Sequence, residues 1–176
     1  MGDAEGRIGR KQPPSSFFYR EVPIEIHRIA GILYGLFRNK RFRKWSDTLL
    51  QGEECRSCNL GGEAVYLPPI RFDAMFIFYH MYRHLITGGV GLRQLCDCVM
   101  YLHRFKDKIN RNLLHEDLCR MGLMRIWKIF GCIAVHHLGL PKEEFPFYSD
   151  TAEIKELSEF LLEEVILHNG NFGHYN

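Results

Sequence analysis

The sequence has no apolar run approaching the roughly 20 residues that a membrane-spanning helix needs, because His, Arg or Lys interrupts each hydrophobic stretch. A secretory signal is missing too, and several of the six cysteines fall in periodic helical segments, so a soluble cytoplasmic chain with reduced thiols is expected. An excess of one charge is also lacking. The 23 basic and 21 acidic residues leave a net charge of +2, which provides no electrostatic nucleic-acid footprint over the chain as a whole. The pair Cys55 and Cys58 is half of a zinc motif without its other half, since Cys96 and Cys98 fall on different faces of one helix and no further close Cys or His pair completes it.

What is present suffices for one sizeable core: 176 residues, 46% of them hydrophobic. Residues 1–16, rich in Gly, Pro and Ser, read as a flexible leader. In residues 17–29, Val22, Ile24 and Ile26 alternate with Glu25 and His27, as in a half-buried strand, and FFYR and IEIH pair as a hairpin around Glu21 to Pro23. No other convincing strand follows, and two strands alone are marginal in water, so the pair reads as part of a sheet completed elsewhere or as an edge served by a partner.

A short helix is expected over 40–51 with Phe42, Trp45 and Leu49 on one face, and residues 53–66 read as a glycine-rich loop. Pro68 and Pro69 then open a largely buried helix over 70–86 that Gly88 and Gly89 end. Leu92, Leu95, Val99 and Leu102 stripe the next helix, and a short one over 113–121 stops at Gly122. The helix over 123–138 carries Ile126, Phe130, Ile133 and His137 on its stripe, with Trp127 beside it, before Gly139 and Pro141. The last, over 150–167, starts at a capping-box-like Asp150 and Glu153 and has Ile154, Leu157, Leu161 and Val165 as its seam. The expected class is mainly α: residues 17–52 hold the strand pair and a short helix, and 67–176 form a bundle of about five helices.

Residues 67–103 gather the ionisable candidates. His80 and His84 stand four apart on one helical face, the spacing of a metal dyad, but without the glutamate of an HExxH motif and among aromatic neighbours they also read as hydrogen-bonded core histidines. Arg93 and Asp97 have the same spacing, which suits an intrahelical ion pair. The glycines up to Gly91 leave free amides at a helix start, where Arg93 helps to receive an anion; the alternative is a plain tight turn. Arg38 to Lys44 puts five cations in seven residues, able to grip phosphates or to form a solvated face. Phe42 is the one aromatic residue in that run, so the interleaved base-stacking aromatics of a nucleic-acid groove are absent from it.

The ordered set IEIH, LPP with HMYRH, GGVGLRQLCD and terminal GNFG resembles the uncharacterised nucleotidyltransferase family found in bacteria, over roughly residues 17–176. The resemblance implies a polymerase-beta-like nucleotidyltransferase fold followed by a helical domain. In such enzymes a glycine turn and an Asp-x-Asp pair bind two Mg2+ ions, a later strand adds a third carboxylate, and the ions neutralise the triphosphate and activate the attacking hydroxyl. Glu25 matches the third carboxylate; read without the family, it is equally an exposed strand residue. No Asp-x-Asp or Asp-x-Glu pair occurs on a segment read as a strand.

The resemblance therefore implies the C-terminal part of a nucleotidyltransferase, its hairpin left over from the α/β sheet. It would contribute substrate or nucleotide contacts through Arg93, Asp97, His80, His84 and Gly91, with Glu25 as a vestigial metal ligand. Mg2+ and a nucleoside triphosphate belong to the intact family member; for this chain alone no cofactor and no catalysis are expected. The alternative is a helical interaction module that dimerises or binds a partner by strand addition through its N-terminal strand.

Overall fold

The computed structural model describes residues 15–19, 21–26, 29–52, 54–87 and 91–163, with the backbone alone described at Ser15, Ser16, Tyr19, Ile24, Glu25 and Ile26. The chain divides into two units, residues 1–30 and 31–176.

In the first unit β1 (Ser15–Tyr19) and β2 (Val22–Ile26) form an antiparallel hairpin with Phe17 opposite Ile24 and Tyr19 opposite Val22. The turn is tighter than the sequence suggests. Glu21 turns at φ 67°, and Val22 and Pro23 already belong to the second strand. The alternation predicts a half-buried face, but Phe17, Phe18 and Val22 are all exposed.

The second unit begins with Gly31, whose backbone presses on the Tyr79 ring; a Cβ there would stand 2.3 Å from a ring carbon. This approach lets the Tyr79 hydroxyl accept from the Ile32 amide at 2.6 Å and donate to the Ile32 carbonyl at 2.8 Å. Gly35, at φ 93°, turns the chain into α1 (Leu36–Leu50), which starts a turn earlier than its buried stripe of Phe42 and Trp45 implies. Leu36 and Phe37 are exposed, so apolar periodicity has nothing to register there.

Residues 53–66 are not the loop the glycines suggest. β3 (Arg56–Leu60) and β4 (Glu63–Leu67) pair antiparallel, closed by Gly61 and Gly62, both at positive φ, with Asn59 Oδ1 accepting from the Gly62 amide at 3.0 Å. Two consecutive glycines at positive φ are the signature of a two-residue hairpin turn. The strands are largely solvent-facing, which removes the hydrophobic alternation that would have marked them.

The helices α2 (Ile70–Thr87), α3 (Leu92–Phe105), α4 (Arg111–Met121), α5 (Met124–His136) and α6 (Ala152–Phe160) complete the mainly helical fold. Among described residues these five helices form the bundle expected over 67–176, α1 is the separate short helix before it, and the second strand pair is the addition to the one expected. Gly122 at φ 68° caps α4 as its position implies. α6 starts from Thr151, whose side chain accepts from the Ile154 amide, and not from an Asp150 capping box. Val165 lies outside the described residues.

Trp127, expected beside the α5 stripe, is fully buried and touches Phe78 edge-on at 4.8 Å and Phe145 at 5.0 Å between centroids. Its indole N–H donates to the Pro146 carbonyl at 2.7 Å, so the ring is buried without an orphaned donor. His137, placed on that stripe by spacing, is exposed and pairs with Glu159 at 2.9 Å.

Two polar clamps fasten the bundle. Asp117 of α4 is fully buried and accepts two hydrogen bonds from Arg71 of α2, at 2.6 and 2.8 Å. Glu144 takes Lys106 Nζ and His103 Nδ1, each at 2.6 Å. The hydrogen bonds from Lys106 and His103 hold the Glu144 carboxyl below the usual range, and Glu144 in turn holds the Lys106 ammonium above its own.

Three outcomes are expected. Gly31→Ala should lower unfolding free energy in urea by about 1–3 kcal/mol, because the buried ring must move. Asp117→Ala should cost about 3 kcal/mol by the same measurement, since it leaves the Arg71 guanidinium without its carboxylate. The Glu144 contribution is present above the ordinary carboxyl pKa and lost as pH falls through the depressed one, while that of Lys106 is present below the ordinary lysine pKa and lost as pH rises through the raised one. Melting temperature should therefore fall at both ends of the pH scale, and Glu144→Gln should flatten both limbs.

Candidate functional site

The candidates named by the sequence fall in both units, Glu25 in the first and His80, His84, Gly91, Arg93 and Asp97 in the second. Glu25 lies in β2, its backbone opposite Ser16, and its side chain is outside the description. His27, residues 88–90 and the terminal GNFG lie outside the described residues altogether.

His80 and His84 do meet, but not in the core. His80 is exposed, His84 is half-buried, and their Nε2 atoms lie 3.0 Å apart with ring centroids at 4.5 Å. The helical spacing brings the rings together; Phe76, one turn earlier, lies 6.0 Å from His80.

Arg93 and Asp97 are both exposed on α3, and no ion pair joins them. The amide of Gly91 is not free for an anion: it donates to the Gln94 side chain at 3.0 Å, while the Gln94 amide bonds back to the Gly91 carbonyl at 3.2 Å. A glutamine three residues into the helix is the sequence signal for this cap. Among described residues, no three His, Cys, Asp or Glu side chains come close enough to share a metal. Cys55 and Cys58 stay free: the Cys55 thiol faces the Leu49 and Leu50 carbonyls and Cys58 is exposed on β3.

Described residues line two concavities that hold charged side chains. One, of about 220 Å3, contains Arg56, Arg71, Lys108 and Glu54. Its arginines already spend their charge internally, Arg56 on Asp73 at 2.5 Å and on the Pro68 carbonyl, Arg71 on Asp117. Burial pushes the Asp73 carboxyl up and the Arg56 charge pulls it down.

The other concavity is a groove of about 460 Å3, lined among described residues by α1 and the Gln51 that follows it: Leu36, then Asn39, Lys40, Arg43 and Lys44, then Asp47, Thr48 and Gln51. Here Lys40, Arg43 and Lys44 form no ion pair with any described residue. Asn39 Oδ1 is buried without a hydrogen-bond donor among them. The basic run was legible as composition; that its charge is unpaired and lines a groove of ligand size comes from the structure. Phe42 and Trp45 cause this arrangement, since burying them turns the intervening cations outward.

Comparison with known proteins agrees with the sequence resemblance. A family model described as uncharacterised nucleotidyltransferase matches residues 7–139, which is 133 of the 176 residues, from ahead of β1 to the end of α5. GNFG thus falls beyond the matched span. No curated protein and no solved structure matches the chain. With three quarters of its length under the match, the chain belongs to the uncharacterised nucleotidyltransferase family.

Proposed function

We propose that this chain supplies nucleotide contacts to a nucleotidyltransferase, holding the phosphates of a nucleoside triphosphate along α1. The carrying observation is the set of unpaired cations Lys40, Arg43 and Lys44 in a groove of nucleotide size, in a member of a nucleotidyltransferase family. Leu36 and Lys44 are about 12 Å apart along the helix axis, a length that suits a base at one end and phosphates at the other. Exposed Leu36 offers apolar surface to the base. Charge-assisted hydrogen bonds from Arg43 and the lysines would fix the phosphates, Arg43 with two N–H groups at once.

The described residues bring no metal-binding carboxylate cluster to this groove, and the sequence has no Asp-x-Asp pair on a strand. The chain by itself is accordingly proposed to bind nucleotide without transferring it. Magnesium-dependent turnover by the homogeneous chain would refute that part.

Titration calorimetry with a nucleoside triphosphate should show binding that weakens with salt and falls about ten-fold or more in Arg43→Ala/Lys44→Ala, a change of about 1.4 kcal/mol. Unchanged affinity in the double variant would refute the α1 site. Concentration-dependent dimerisation with no nucleotide effect would instead favour strand addition through the N-terminal hairpin, whose exposed Phe17, Phe18 and Val22 are the observation behind that second reading.

A further inference from the structure

We propose that His80 and His84 form a two-nitrogen chelate for a divalent transition ion that prefers right-angled ligand positions, Cu2+ or Ni2+. The pair lies on the outer side of α2, and neither ring is sealed in the core. Their Nε2 atoms approach to 3.0 Å, so with each ring in its Nδ1–H tautomer both lone pairs can serve one point in space.

The geometry discriminates between ions. With metal–nitrogen bonds of about 2.0–2.1 Å, a 3.0 Å separation gives a nitrogen–metal–nitrogen angle of about 94°, whereas a tetrahedral angle needs about 3.3 Å. Adjacent positions of a square-planar or octahedral ion fit this separation without movement of α2; tetrahedral zinc requires the rings to spread. Magnesium, which prefers oxygen ligands, is excluded by donor type. Among the described residues no third His, Cys, Asp or Glu joins the pair.

Two features preorganise the pair. Both histidines project from α2 one turn apart, so the helix fixes their spacing. Phe76 tilts against His80 at 34° and limits the ring's swing toward the preceding turn. Where the two rings share a proton across the 3.0 Å contact, it sits on one Nε2. On coordination that proton moves to Nδ1 of the same ring through solvent, the ion exchanges two waters for two nitrogens, and the protein charge is unchanged.

The test uses the full chain. Copper at one equivalent should give an electron paramagnetic resonance spectrum with coupling to two imidazole nitrogens, and nickel should bind in equilibrium dialysis more tightly than zinc. His80→Ala and His84→Ala, each checked for retained helical circular dichroism, should lose about ten-fold or more in nickel affinity. Affinity equal to the parent chain in both variants would overturn the assignment, as would a parent-chain spectrum without two-nitrogen coupling, a readout that needs no variant to fold. Nucleotide binding at α1 is measured separately, so either proposal can fail without the other.

Discussion

The edge-on contact between Phe78 and Trp127 is the constraint around which the second unit is arranged. Full burial of Trp127 is favoured by an acceptor for its indole proton, and the Pro146 carbonyl supplies it. The segment after α5 must therefore fold back across the ring. Gly131 permits this, since a Cβ there would stand 2.4 Å from the Phe145 ring. Phe147 follows at φ 63°, unusual for a residue with a side chain and sustained by the packing on both sides, including the His115 ring at 5.1 Å. From this centre α2 reaches α1 through Phe42 and Tyr79, rings 4.4 Å apart, and α4 through Arg71 and Asp117.

The parts of this fold legible in the sequence are those that bury a stripe or end at a glycine. α2, α3 and α5 follow their apolar periodicity, and α4 stops where Gly122 permits a left-handed residue. The β3–β4 hairpin escaped because it is written in turn chemistry and not in hydrophobicity: Gly61 and Gly62 make it, while Ser57, Asn59 and Glu63 carry no apolar alternation. The first turn of α1 escaped for the same reason, its Leu36 and Phe37 facing solvent.

The site was legible in part. Composition disclosed the cations of α1 and spacing disclosed the His80 and His84 pair, because both depend on neighbours within one helix. Spacing alone could not tell a core histidine from a surface one, since aromatic neighbours such as Phe76 occur at the edge of a core as well as within it. Nor could it show that the Gly91 amide would be taken by the Gln94 side chain. Arg93 and Asp97 illustrate the same limit: an i, i+4 spacing permits an ion pair, and two solvated side chains need not form one.

The unpaired cations of α1 bear on the helix itself. Arg38 and Arg41, Lys40 and Arg43, and Lys40 and Lys44 are like charges one turn apart, and each such pair opposes helix formation by a few tenths of a kcal/mol. Phe42 and Trp45 hold α1 against that self-repulsion by their burial. An anion laid along the groove would cancel repulsion as well as make contacts, so part of its binding energy would reappear as order in α1. Binding and the local folding of this helix are then two readings of a single equilibrium.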